Sequence, residues 1–174
     1  AVLRPMVRQA ADLRGEYDVI ASVATGAIIH GGVIARELRA PHVIVKKQEK
    51  TEHGLAGLID GDISILPQAR VMLVEDMSST FGSSLEAMAS LKHEGARVVH
   101  TLLINTWNFP DFQRNIEGHS VHSLCTGAMI VAQAINSGTV DEEHQDILNH
   151  WLVHPDDESW AHNGKWELPK GEMK

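Results

Sequence analysis

Cysteine is nearly absent. The one thiol, Cys125, cannot form an internal disulfide. With no secretory signal read in the chain, the expected compartment is the reducing cytoplasm. Long apolar runs are missing as well. None approaches the roughly 20 residues a membrane-spanning helix needs, so no membrane partner is expected. Basic residues are the third scarcity: 15 Lys and Arg stand against 23 Asp and Glu, a formal net charge of −8. That balance argues against a generic nucleic-acid partner, because a polyanion is repelled. A local basic cluster can still hold a small anion.

What is present describes an ordinary soluble domain. The 174 residues are 43% hydrophobic and 22% charged, enough apolar side chain for one real core. We expect a single domain over residues 1–155 and a Trp- and charge-rich tail over 156–174. Leu3, Met6, Val7, Ala10 and Leu13 share one face at helical spacing, which predicts a helix within residues 1–16. Tyr17–Val23 reads as a strand, Ile28–Arg39 as a helix and His42–Val45 as a second strand. Residues 46–62 are polar, contain three glycines and show neither period, so they read as a long functional loop. Val71–Val74 and Arg97–Ile104 are further strands, with a helix over residues 83–94 between them. Asn105–Gly118 reads as an irregular stretch, and 120–124 as a last strand. Helices are expected over 127–136 and from Asp141 to about Val153. Strands alternating with helices imply right-handed crossovers and a mostly parallel sheet.

One stretch concentrates the chemistry. Val71-Met72-Leu73-Val74 ends in Glu75-Asp76, and Met77-Ser78-Ser79-Thr80-Phe81-Gly82-Ser83-Ser84 follows. A buried strand delivering two carboxylates to its C-terminal end is followed by small hydroxyl residues before a helix. Backbone N–H groups at a helix N-terminus favour a phosphate. Acids beside such a cradle suit a ligand carrying both sugar hydroxyls and phosphate. Taken alone, Glu75-Asp76 is equally well a solvated strand end. Two other stretches bear on it. Ser22-Val23-Ala24-Thr25-Gly26-Ala27 is a tight strand-to-helix turn. Lys46-Lys47-Gln48-Glu49-Lys50-Thr51-Glu52-His53-Gly54 is the one basic cluster in an acidic chain, though a charge run is commonly a solvated face.

Taken together and in this order, the three stretches resemble the motifs of the type I phosphoribosyltransferases, and among them the orotate phosphoribosyltransferases. The match is good over residues 17–104 and weak beyond. The resemblance implies an α/β fold with a mostly parallel central sheet flanked by helices, the N-terminal hood of the family being reduced or missing. It implies transfer of a phosphoribosyl group from phosphoribosyl pyrophosphate (PRPP) to a nitrogenous base, with orotate as acceptor in pyrimidine nucleotide synthesis. It further implies Mg²⁺ as cofactor and a homodimer in which loop 46–62 is shared across the interface. By the same resemblance Glu75 and Asp76 bind the ribose hydroxyls, and Ser78, Ser79, Thr80, Gly82 and Ser83 the 5′-phosphate. Ala24, Thr25, Gly26, Lys46, Lys47 and Lys50 hold the diphosphate, with Lys47, Lys50, His53 and Asp76 serving the chemistry.

The chain departs from the family at several places, among them Ser78-Ser79 for a more usual Ile/Val-Thr and Gly26 where other orotate enzymes carry a lysine. Phe81 stands where a small residue, usually Gly, is common. Ala27 replaces a second glycine in the diphosphate turn. Ile104-Asn105-Thr106-Trp107-Asn108-Phe109-Pro110 replaces a segment whose arginine contacts orotate. Trp107 and Phe109 are candidates for stacking on a base, and core or interface aromatics are the plainer reading. These departures leave two alternatives open: a PRPP-binding regulatory or non-catalytic domain, and a phosphoribosyltransferase for a different base. The histidine pairs His119/His122 and His150/His154 have metal-compatible spacing. No cysteine or carboxylate framework accompanies them in sequence, so solvated histidines are expected.

Overall fold

Short apolar runs punctuated by turns become the strands of one sheet. The computed structural model describes residues 2–46 and 57–157. Their order is α1 (Leu3–Asp12), β1 (Val19–Val23), α2 (Ile28–Leu38), β2 (His42–Val45), β3 (Ile59–Asp60), β4 (Arg70–Ser78), α3 (Gly82–His93), β5 (Arg97–Thr106), α4 (Pro110–Asn115), β6 (Val121–Thr126), α5 (Gly127–Asn136) and α6 (Gln145–Val153). Single 3₁₀ turns lie at Ile63–Ile65 and Glu142–His144. Contacts divide the chain into two compact units, Ala1–Thr126 and Gly127–Lys174. No helix among the described residues is long and apolar enough to cross a membrane.

The six strands run β3-β2-β1-β4-β5-β6, all parallel except β3, which is antiparallel to β2. From β1 the chain crosses through α2 to β2 on one side, and from β4 through α3 to β5 on the other. Opposite travel with right-handed crossovers puts the two helices on opposite faces. Two cores result. Val19, Ala21, Val23, Val71 and Leu73 pack with Ala87 and Leu91 of α3. Ile20, Met72, Val74 and Leu102 pack with Met6 and Ala10 of α1 and Ile34 and Ala35 of α2. Alternate residues of each strand serve alternate cores, as the period of two requires. Both faces being covered, the central strands read as continuous apolar runs.

Several boundaries differ from the sequence reading. The first helix ends at Asp12, after which Arg14 and Tyr17 form an isolated bridge. The stretch read as a loop over 46–62 closes with β3, whose two residues are too few to show a period. Strand β4 continues through Glu75 and Asp76 to Ser78, because their backbones go on pairing with β5. Polar side chains hid that extension. Strand β5 likewise runs to Thr106, and α4 follows where an irregular stretch was expected. The helix expected from Asp141 begins as a 3₁₀ turn, and α6 proper starts at Gln145.

At the N-terminal edge of the sheet, Arg70 and Asp18 pin β4 to β1. The guanidinium donates to Asp18 Oδ1 at 2.7 Å and Oδ2 at 3.0 Å, and Arg70 N–H donates to Oδ2 at 2.9 Å. These hydrogen bonds hold the Asp18 carboxyl down to about 2.

Candidate active site

The strand order reverses direction between β1 and β4, the place where an open parallel sheet leaves a crevice at its C-terminal edge. A cleft of about 350 Å³ lies there, and Val23, Ala24, Thr25 and Gly26 line one side of it. Glu75 to Phe81 and Ser83 line the other. The turn after β1 and the stretch after Val74 are thus neighbours in space although some 50 positions apart in sequence.

Strand geometry gives the two acids different surroundings. Glu75 has the parity of Val71 and Leu73 and so faces α3. It is 5% exposed, and its carboxylate accepts the Ser84 hydroxyl from the first turn of that helix. Asp76 has the parity of Met72 and Val74 and faces the α2 side, exposed at the cleft. Its Oδ1 accepts its neighbour's Met77 N–H at 2.9 Å. A Cβ built on Gly26 would collide with the Asp76 carboxylate. With glycine there, the turn after β1 and the Asp76 carboxylate come this close without either shifting. The Ala24–Thr25 peptide in that turn is cis. His30, one turn into α2, donates Nδ1–H to the Gly26 carbonyl at 3.1 Å.

The other wall is the N-terminus of α3, whose first-turn N–H groups have no partner inside the helix. Ser78 Oγ accepts the Phe81 N–H at 2.9 Å and tightens the turn, and Asn115 of α4 donates to the Thr80 carbonyl at 2.8 Å. Phe81 occupies the left-handed region, φ +69°, where glycine is at ease and a bulky residue is strained. Its ring leaves the cleft for the core. It is 1% exposed and packs edge-on to Phe112, centroids 5.7 Å apart. Burial there offsets the backbone cost, so the aromatic takes the place of a small residue without its ring filling the cleft.

Sequence comparison bears on this geometry. No family model matches the chain. Orotate phosphoribosyltransferase of Porphyromonas gingivalis is 32% identical over 158 residues, 90% of this chain and 73% of the relative. The chain belongs to the orotate phosphoribosyltransferase family. Its fold is that of the Aeropyrum pernix orotate phosphoribosyltransferase, with TM-score 0.66 and 23% identity over 76% of this chain and 73% of that one. The Mycobacterium tuberculosis orotate phosphoribosyltransferase in complex with PRPP is also similar. It is 25% identical with TM-score 0.54, covering 72% of this chain and 70% of that one.

Of the orotate phosphoribosyltransferase positions expected from sequence, Ala24, Thr25, Gly26, Glu75, Asp76, Ser78, Ser79, Thr80 and Ser83 converge on the cleft. Gly82 opens α3 beside it without lining it. Lys46 lies elsewhere, its ammonium 3.0 Å from Asp60 of β3. Lys47, Lys50 and His53 fall outside the described residues. Trp107 and Phe109 do not line the cleft, but Trp107 is one side chain away. Its indole N–H donates to Met77 Sδ at 3.1 Å, and its backbone N–H to the Ser78 carbonyl at 3.2 Å.

The sequence reading missed Val23 and Met77 as lining residues, and His30, Ser84 and Asn115 as supports. Met77 was detectable: an apolar residue between Asp76 and Ser78, 47% exposed, is out of place unless something covers it. Asn115 carried no local signal, since it reaches Thr80 across 35 positions.

Proposed function

We propose that this chain transfers the phosphoribosyl group of PRPP to orotate and releases diphosphate, a pentosyltransferase step of pyrimidine nucleotide synthesis. The observation that carries the reading is the close approach of the Asp76 carboxylate and the Gly26 backbone across a cleft walled by the α3 N-terminus. The α3 first turn, with Ser79, Thr80 and Ser83, is suited to the 5′-phosphate. Asp76 is suited to accept hydrogen bonds from ribose hydroxyls. The backbone of Ala24, Thr25 and Gly26 faces the position the diphosphate would take. Glu75 also lines the cleft and keeps its assignment to a ribose hydroxyl by resemblance. Its bond to Ser84 is suited to hold α3 against β4 and so position the cradle.

A bond from an orotate ring nitrogen to C1 forms as the C1–oxygen bond breaks. The diphosphate leaves with the electron pair, and the proton of that nitrogen passes to the departing diphosphate or to water. Positive charge grows on the ribose ring meanwhile. The cleft residues contribute mainly placement, holding phosphate and sugar while the base approaches, together with the negative charge of Asp76 near the ribose. No side chain need act as nucleophile.

The oxygen donors here fit Mg²⁺ carried mainly by substrate and water. A lone exposed carboxylate with nearby hydroxyls does not make an all-protein cage, and Mg²⁺ habitually keeps several waters. Bound with PRPP, it would neutralise diphosphate charge. Lys47, Lys50 and His53 are assigned to the leaving group on sequence resemblance. The same resemblance supports a homodimer sharing loop 46–62. The sequence by itself supports one domain over residues 1–155 and, through its lone Cys125, a reducing cytoplasmic setting.

A panel of orotate, uracil, hypoxanthine and adenine, each incubated with PRPP and Mg²⁺, tests the reading by diphosphate release. Release with orotate alone is expected. Release with another base only would reassign the acceptor, and saturable PRPP binding with no release for any base would leave a ligand-binding domain.

A further inference from the structure

Far from the cleft, three side chains the transfer reaction does not use converge on one point. His100 of β5 is 8% exposed, and Ser120 and His122 lie at the start of β6. The parallel register sets Thr101 opposite Val121 and Leu102 opposite His122, and Thr101 N–H donates to the Ser120 carbonyl at 2.9 Å. His100, Ser120 and His122 therefore share the α1 face of the sheet on rigid backbone. His100 Nδ1 lies 3.0 Å from Ser120 Oγ and 3.4 Å from His122 Nε2, and Ser120 Oγ lies 3.2 Å from His122 Nε2.

The remaining His100 nitrogen fixes its tautomer. Nε2 is 3.1 Å from Glu16 Oε2. An ionised carboxylate only accepts, so Nε2 carries the hydrogen and Nδ1 presents its lone pair to Ser120 and His122. A carboxylate behind a histidine that turns its other nitrogen to a shared point is the outer support of metal-binding histidines. The spacing agrees. Two nitrogens at about 2.05 Å from one tetrahedral ion stand about 3.3 Å apart.

We propose that His100 Nδ1 and His122 Nε2, with Ser120 Oγ beside them, form a site for one divalent transition-metal ion of the zinc class, backed by Glu16. Imidazole donors select zinc, nickel or copper over magnesium. Ser120 is exposed, so water completes the coordination. The ion would tie the segment after α1 to β5 and to the edge strand β6. Sequence spacing singled out His122 with His119, but the partner is His100 on the neighbouring strand.

The test is calorimetric titration of Zn²⁺ into the whole chain after chelator treatment. His122→Gln and Glu16→Gln are the site variants, and His150→Gln, on α6, is the control. One saturable equivalent is expected in the wild type and in His150→Gln. Affinity should fall about tenfold or more in Glu16→Gln and be lost in His122→Gln, outer-shell changes being worth about 10–100-fold. Saturable binding that survives His122→Gln, or its absence from the wild type, overturns the proposal. Imidazole ¹H–¹⁵N spectra of the wild type need no variant to fold. One equivalent of Zn²⁺ should move the His100 and His122 resonances first, and movement confined to other histidines would also overturn it.

Discussion

The two edges of the sheet are made by the same strands and finished in opposite ways. At the N-terminal edge Asp18 and Arg70 pair with each other, and Glu16, His100, Ser120 and His122 lie each within hydrogen-bond distance of the next. At the C-terminal edge, Thr25, Gly26, Asp76 and Thr80 face solvent around a cleft. One edge pairs its charges with side chains, apart from the two imidazoles proposed above to hold a metal ion. The other leaves a carboxylate and a helix N-terminus exposed around a cleft, consistent with sites being where local satisfaction is relaxed.

The contrast breaks most visibly at Phe81, where the cleft borrows from the core. Phe81→Ala removes a buried ring and should cost about 3–5 kcal/mol in denaturant unfolding. Phe81→Gly loses the same ring but relieves the left-handed backbone, so it should be the more stable of the two by about 1 kcal/mol. That inverts the usual order of alanine over glycine, and equal or reversed stabilities would refute the account of this turn. Next in size is Gly26→Ala. Its methyl must displace the Asp76 carboxylate, so PRPP affinity should drop about tenfold or more, about 1.4 kcal/mol per tenfold, with the melting temperature little changed. An unaltered affinity would separate Asp76 from the turn.

A smaller effect concerns His42, whose Nε2 lies 2.7 Å from the buried Ser22 hydroxyl. Burial holds its pKa below the ordinary value of 6.5. The unfolded chain therefore binds that proton more readily, and stability is present above pH 6.5 and lost as pH falls through the folded value. Unfolding midpoints should decline below pH 6.5 in the wild type and less steeply in His42→Gln. Parallel profiles would remove His42 from the account. Smallest is Asp18→Asn. With the Asp18 pKa lowered to about 2, the ion pair contributes above the ordinary carboxylate range and is lost as pH falls toward 2. Both partners are exposed, so the neutral-pH difference should be slight and shrink further in salt. A large loss at neutral pH would mean that the N-terminal edge bears more load than its exposure suggests.

Much of the cleft was legible because its parts are local. A strand, two acids and a hydroxyl-rich turn lie within fourteen residues, and the turn at 24–27 has the matching character. What escaped was set by partners distant in sequence. The strand reading stopped at Val74 because Glu75 and Asp76 look like a loop, although β5 pairs with them. The different surroundings of the two acids follow from strand parity, but only once the strand is known to continue. His100 sits in an apolar strand with no motif around it, and its partners Glu16 and His122 lie 84 and 22 positions away.

Calorimetric titration of PRPP with Mg²⁺ into the wild type and Asp76→Asn tests the central claim most directly. Saturable binding at one site per chain is expected in the wild type. Asp76→Asn should weaken it about tenfold or more, as loss of a charge-assisted hydrogen bond requires, with an unchanged unfolding curve. Equal PRPP affinity in the two proteins would place the sugar elsewhere and contradict the assignment of this edge as the active site.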